Sequence, residues 1–160
     1  MFGALAKADI HDLILEGPEV RIASDGDAAS YAAPLAGFDI ASRLSRIPLK
    51  SPAVEAAISD PNAQSRASAW LVASGLVAGG WSDVIRNCEV HDAIITVQGE
   101  TVKSHGGEYY VGSLLGEGYA FMDENMSTYA ISVRVEDRSA ALTDLPLTVN
   151  VGGMGGTNTT

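Results

Sequence analysis

Cys88, His91 and His105 are the residues of this sequence whose types could together bind a metal ion. Two residues separate Cys88 from His91, and zinc accepts both ligand types. A closed zinc site usually has paired ligands at both ends of its motif, whereas here the second end has a single histidine. We therefore expect a buried thiol and two surface histidines, with no metal and no cofactor. The carboxylates that could have supplied a fourth ligand are Glu89, Asp92 and Glu108.

Ser113 lies between Gly112 and Gly116, in a segment with the glycines of a nucleophile turn. That turn requires Gly-x-Ser-x-Gly between a strand and a helix, and here the second glycine comes one residue late. Histidines and carboxylates are available elsewhere in the chain, but their availability does not establish a catalytic triad. We therefore predict no acyl-transfer site and no catalytic residue.

Two pairs of adjacent carboxylates, Asp123-Glu124 and Glu136-Asp137, lie where predicted strands end. Paired carboxylates on a sheet can hydrolyse glycosidic bonds. Enzymes of that kind generally line the cleft with aromatic rings, but this chain has only two tryptophans, and Trp70 is predicted to face the core. Solvated turn residues are the better interpretation of both pairs.

Other short motifs are incomplete. Asp25-Gly26-Asp27 followed by Ser30 begins like a calcium loop but lacks the glycine at the sixth position and the final glutamate. The glycine-rich segments are not followed by the Lys-Ser/Thr of a phosphate-binding loop. A group of aromatic residues could form a contact surface, although such residues more often fill one face of a sheet. This group comprises Tyr109, Tyr110, Tyr119 and Phe121.

Composition limits the function classes. The 160 residues include 20 acidic and 10 basic side chains, which give a net charge of −10. That charge disfavours nucleic acids and anionic membranes as partners, because both attract Lys and Arg. A single cysteine excludes an internal disulfide, and no secretory leader opens the chain. The longest apolar run, 69–80, is too short to span a bilayer, so we expect a protein that is made and kept in the cytoplasm.

Apolar periodicity and capping residues predict helices in the first half of the chain. Gly17-Pro18 would end the first helix, Ser51-Pro52 and Asp60-Pro61 would begin two others, and Gly79-Gly80 would end the longest. The longest helix would place Trp70 on a buried stripe. The predicted helices cover about residues 4–16, 40–46, 52–59 and 61–78.

From Val90 onward the apolar pattern has a period of two, which indicates strands. In the clearest example, Ile131 and Val133 would face the core while Ser132 and Arg134 face outward. Helices followed by strands predict an α+β fold with a mostly antiparallel sheet, and we find no internal repeat. The predicted strands cover about residues 90–97, 100–103, 108–111, 119–122, 128–136 and 147–151.

The chain divides into one α+β domain over residues 1–151 and a glycine-rich C-terminal arm over residues 152–160. The arm has too few apolar side chains to order itself, so we expect it to lie on a neighbouring subunit. Extended termini can link subunits by pairing with an exposed sheet edge.

These observations favour a non-enzymatic, self-assembling structural protein. It would be a homo-oligomer or would bind other structural subunits, and it would bind neither nucleic acid nor membranes. Within that class, composition favours a virion component of a bacterial virus, such as a capsid-decorating or tail-connector subunit. The alternative is a small intracellular bacterial enzyme or ligand-binding domain with a pocket near His91, His105 and Glu108.

Overall fold

The computed structural model shows a chain of parallel β-strands wound into stacked coils, which is a parallel β-solenoid. The structure describes residues 2–24, 29–60, 69–101, 107–123, 126–137, 148–153 and 155–158. Within these ranges no residue is helical, and so no helix is long and apolar enough to cross a membrane. The predicted α+β fold is therefore wrong.

The strands follow one another around four coils, and β17 continues the stack. Coil one contains β1 to β5, coil two β6 to β9, coil three β10 to β12 and coil four β13 to β16. In chain order the strands are β1 (Phe2–Ala6), β2 (Asp9–His11), β3 (Leu15–Glu16), β4 (Glu19–Ser24), β5 (Ser30–Ala32), β6 (Ala36–Ile40), β7 (Arg43–Lys50), β8 (Ala53–Asp60), β9 (Ala69–Ser74), β10 (Val77–His91), β11 (Ile94–Thr101), β12 (Gly107–Gly112), β13 (Leu115–Asp123), β14 (Ser127–Tyr129), β15 (Ser132–Asp137), β16 (Thr148–Gly152) and β17 (Gly155–Asn158).

Three parallel sheets run along the stack. Sheet I has the order β1-β6-β10-β13-β17 and is extended by β7, which pairs with β2, β3 and β10, and by β14, which pairs with β10. Sheet II has the order β4-β8-β11-β15, and sheet III the order β5-β9-β12-β16. Residue pairs between successive coils, such as Phe2 with Ala36 and Ala36 with Val77, are separated by 34 to 41 residues. The repeat is therefore one of backbone geometry, which explains why no internal repeat is visible in the residue types.

Left-handed residues stack at three corners of sheet I. Their φ angles lie between 50° and 56°, a region of backbone conformation that residues other than glycine rarely adopt. Backbone hydrogen bonds continue through the corners, for example from Ser51 N to His91 O at 2.8 Å, and hold these residues in place. The corner stacks are Lys7 with Ala41, Asp12 with Arg46 and Asn87, and Gly17 with Ser51, Asp92 and Ala130.

These corners explain the wrongly predicted helices. A left-handed residue changes which side of the strand faces inward, so apolar side chains on either side of it are three residues apart. Leu44 and Ile47, on either side of Arg46, are both buried in the interior. A spacing of three resembles one face of a helix.

The predicted helices 4–16, 40–46 and 52–59 are replaced by strands, and Pro52 precedes β8 instead of opening a helix. The helix predicted over 61–78 falls partly on residues 61–68, which lie outside the described residues, and the remainder forms β9 and the start of β10.

The predicted strands overlap observed ones, but every strand pair described is parallel. β11 runs through the expected turn at Gln98-Gly99, so the hairpin predicted from 90–97 and 100–103 is also wrong. As predicted, Val133 packs on the core and Arg134 is exposed. Part of the predicted arm, Gly155–Asn158, pairs with β13 of the same chain.

Candidate functional site

The candidate site is a strip of aromatic side chains on the outer surface, where sheets I and III meet. Outside the interior core, Ala33, Val72 and Ala78 form a separate buried cluster at this junction. Tyr31, Trp70 and Tyr110 pack against that cluster from sheet III. We call the six residues Tyr31, Phe38, Trp70, Trp81, Tyr110 and Tyr119 the aromatic strip.

Two rings of sheet III, those of Trp70 and Tyr110, each donate a hydrogen bond to a carboxylate. The indole Nε1 of Trp70 donates a hydrogen bond to Glu117 Oε2 at 3.1 Å. The Trp70 and Tyr110 ring centroids are 5.7 Å apart, and the Tyr110 hydroxyl donates to Glu108 Oε2 at 2.5 Å. Each ring therefore has an apolar face and fixes the position of one carboxylate.

Tyr31 of sheet III and two rings of sheet I, Phe38 and Trp81, pack edge to face. Tyr31 and Phe38 have centroids 5.2 Å apart at 72°, and Phe38 and Trp81 have centroids 5.9 Å apart at 89°. Such pairs each contribute about 0.5 to 1.5 kcal/mol beyond the burial of area. The Tyr31 ring lies over Gly79, where an added Cβ would be 2.5 Å from Tyr31 Cε1.

Trp81 and Tyr119 form the exposed part of the strip. Ile40, Trp81 and Tyr119 pair in register across coils two, three and four. The Trp81 and Tyr119 residues remain 55% and 51% exposed. Since these three residues are in register on neighbouring strands, their side chains leave the same face of sheet I and follow one another along the solenoid axis; we call them the platform.

The platform rests on a tightly packed column formed by Asp39, Gly80 and Gly118. The φ angles of Gly80 and Gly118 are 131° and 127°, and a Cβ at Gly80 would be 1.9 Å from Asp39 O. Buried Asp39 accepts a hydrogen bond from Ser82 Oγ at 2.5 Å. The column fixes the backbone of the residues that immediately precede Trp81 and Tyr119.

The strip has an acidic character. Burial raises the pKa of Glu117, the nearby Glu108 charge adds to the rise, and the hydrogen bond from Trp70 opposes it. The hydrogen bond to Glu108 is the main cause that raises the pKa of Tyr110 to about 12. Among the described residues, no Lys, Arg or His forms an ion pair with either carboxylate.

The residues considered as metal ligands lie elsewhere. Cys88 is buried in the interior, its thiol donates to Arg86 O at 3.3 Å, and burial raises its pKa to about 11. His91 is half-buried next to Tyr129, with Nε2 at 3.2 Å from Glu89 Oε2. His105 lies outside the described residues, among which no three potential ligands form a metal-binding group.

The other motif residues are dispersed. Ser113 is buried, and its hydroxyl donates to the Gly153 carbonyl. Glu124 and Asp25-Gly26-Asp27 lie outside the described residues, and Glu136 pairs with Arg134. Asp123 ends β13, Asp137 ends β15 and Ser30 begins β5.

The alternative hypothesis places a pocket near His91, His105 and Glu108. Two of these residues, His91 and Glu108, are described by the structure, and they lie in different sheets. His91 ends β10 in sheet I, whereas Glu108 lies on β12 in sheet III and accepts a hydrogen bond from Tyr110 of the strip. Trp70 is half-buried on the outer face, so its predicted place in the core is wrong. The sequence signal for the strip was the alternation at Tyr109-Tyr110, where Tyr109 is buried in the core and Tyr110 faces outward.

Comparisons with protein-family models, with curated proteins and with solved structures find no match to this chain, and none of them supports the expected virion role.

Proposed function

We propose that this chain is a non-enzymatic structural protein whose solenoids stack end to end through the open edges of their sheets. One observation carries the proposal: within the described residues, the first-coil strands β1, β4 and β5 pair on one side only, and so do β15, β16 and β17 at the other end. Unpaired strand edges are templates for pairing with another chain.

The two ends are complementary because every pairing is parallel. β8 bonds to β4 on one side and to β11 on the other, so each coil repeats the bonding pattern of the coil before it. In sheet II the free edge of β15 can therefore bond to the free edge of β4 in a second copy, as β4 bonds to β8. In sheet I, β17 occupies the position next to β13 that β1 of the second copy would take, so stacking requires β17 to be displaced. Contacts of this head-to-tail kind are heterologous and generate open filaments.

The interior side chains at both ends support the same arrangement. In the middle coils, interior residues such as Leu44 and Ile85 are fully buried. At the ends the corresponding side chains are only half-buried, and a stacked copy would cover them. Burying this apolar surface would contribute a free energy of association of roughly 25 cal/mol per Å². They are Ile10, Leu13, Val20 and Ile22 in coil one and Met122, Met126, Val133 and Val135 in coil four.

A proline in the first-coil edge tests the proposal. Ala53 N donates to Pro18 O at 2.9 Å, so alternation along β4 directs the N–H groups of Val20 and Ile22 to coil two and that of Ala23 to the open edge. Ala23→Pro therefore removes an outward donor and no internal hydrogen bond. Ala23→Thr is the matched control because it keeps the N–H group.

We expect the unmodified chain and Ala23→Thr to form concentration-dependent oligomers in sedimentation velocity, and Ala23→Pro to associate at least tenfold more weakly. Since the net charge is −10, added salt should strengthen association by screening repulsion. Circular dichroism should show unchanged strand content in both variants. A chain that stays monomeric at all concentrations and salt levels would contradict the proposal.

A further inference from the structure

We propose that the aromatic strip binds a neutral, unbranched polysaccharide chain that lies along the solenoid axis. The strip is on the outer face where sheets I and III meet. Its two exposed rings, Trp81 and Tyr119, are on β10 and β13, which pair on both sides, so the inference does not depend on end-to-end stacking.

The distribution of aromatic residues is the first argument. The chain has 2 tryptophans, 5 tyrosines and 3 phenylalanines, and six of these ten residues lie in the strip. Averaged over the whole chain, the aromatic content is too low to indicate a sugar site. Within the strip it is high, because most of the aromatic residues are concentrated there. Four of the six rings are half-buried, and Trp81 and Tyr119 are more than half exposed. Exposed apolar patches mark interaction surfaces.

The shape of the strip is the second argument. Trp81 and Tyr119 are in register on successive coils, so their backbone positions are about one strand spacing, 4.8 Å, apart and both side chains leave the same face of sheet I. A ligand that covers both must present apolar surface repeatedly along one direction. The flat carbon faces of successive sugar rings have this property.

The polar groups beside the rings are the third argument. Glu108 and Glu117 each accept one described hydrogen bond through Oε2, which leaves carboxylate oxygen capacity for further donors. Sugar hydroxyl groups are such donors. A purely apolar partner would desolvate these carboxylates without compensation, which is unfavourable.

Charge decides between classes of polysaccharide. The carboxylates of Glu108 and Glu117 beside the strip and the net charge of −10 would repel an anionic chain. A cage for a single ammonium group requires rings that surround one point, whereas Trp81 and Tyr119 follow one another along the axis. A neutral chain satisfies both the rings and the hydrogen-bond acceptors.

Affinity electrophoresis of the full chain tests the proposal, with five neutral, unbranched polymers, hydroxyethyl cellulose, mixed-linkage β-glucan, glucomannan, pullulan and amylose, each cast into native gels. We expect retardation by at least one of them. Trp81→Ala and Tyr119→Ala should weaken it at least fivefold without unfolding, since both rings are more than half exposed. Tyr129→Ala is the matched control because Tyr129 is 68% exposed but lies on β14, outside the strip.

Several results would overturn the proposal. They are the absence of retardation by any of the five polymers, equal retardation of Trp81→Ala and Tyr129→Ala, and stronger retardation by polygalacturonate than by any neutral polymer. Quenching of tryptophan fluorescence by tetramethylammonium in the absence of polysaccharide binding would assign the strip to a cation instead. Loss of self-association in Trp81→Ala without polysaccharide binding would assign it to a second copy.

Discussion

The middle coils and the end coils use the same backbone geometry but differ in how completely they bury their interior. Leu44 in coil two is 0% exposed, whereas in coil one the interior Leu5 is 8% exposed and Leu13, which packs against the same core cluster, is half-buried. In a solenoid each coil contacts only its neighbours, so an end coil has half of the contacts of a middle coil. We therefore expect stability to be greatest in the middle coils, while the less covered interiors of the end coils are the surfaces that the proposed stacking would bury.

The largest expected effect is at the glycine column of the middle coils. Gly80→Ala places a Cβ 1.9 Å from Asp39 O at a φ of 131°, so backbone must move in two adjacent coils. We expect a loss of at least about 3 kcal/mol in the free energy of unfolding, measured by urea denaturation. Gly3→Ala, at a position with nothing within 4 Å, should change it by less than about 0.5 kcal/mol. Equal stability of the two variants would show that the coils do not stack in this register.

Two leucine truncations compare the middle and end coils directly. Leu44→Ala creates a cavity in a fully buried site and should lower the free energy of unfolding by about 4 kcal/mol. Leu5→Ala, at the end of the stack, should lower it by about half as much, because the site is open on one side and can relax or fill with water. If Leu5→Ala were the more damaging variant, the assumed order of stability would be wrong.

A smaller effect is expected at the exposed ion pair between coils one and two. Arg46 donates to both Asp12 carboxylate oxygens, at 2.5 and 2.7 Å, and these hydrogen bonds hold the pKa of Asp12 well below its usual 3.8. The pair therefore stabilises the fold fully at pH values above the usual aspartate pKa of 3.8. Its contribution is lost as the pH falls from there toward the lowered pKa of Asp12. Asp12→Asn should flatten the pH dependence of Tm in this acidic range, but only slightly, because the pair is exposed.

Asp83→Asn, at an exposed position of β10, is the control for this measurement. Its melting profile between pH 5 and pH 2, a window of about three units around the usual aspartate pKa, should follow that of the unmodified chain. A flattened profile in the control and not in Asp12→Asn would place the acid-sensitive group elsewhere.

Local alternation was readable from the sequence, but the solenoid was not. The pattern around Val133 and Arg134 correctly gave the inward and outward faces of β15. At Arg46, Asn87 and Asp92, left-handed conformations occur without glycine because hydrogen bonds between coils hold them, and no residue type signals them. Apolar residues on either side of these corners are therefore three positions apart, a spacing that is also typical of one face of a helix.

The candidate site was readable only in fragments. The sequence places Tyr110 and Tyr119 in one aromatic group, but Trp70 and Glu117 are 47 positions apart and meet only because the coils stack. Contacts of this kind depend on coil length, which varies from 34 to 41 residues and leaves no fixed repeat in the sequence. Without the fold, Trp70 could not be placed next to a carboxylate.

Electron cryomicroscopy of the concentrated protein at moderate salt would test end-to-end stacking most directly. If the open edges pair as proposed, helical reconstruction should show filaments of continuous parallel strands spaced about 4.8 Å apart, with one subunit every ~20 Å, the height of four coils. Ala23→Pro should shorten or abolish these filaments. Discrete particles, or filaments whose subunits meet through the sides of the sheets, would contradict the proposal.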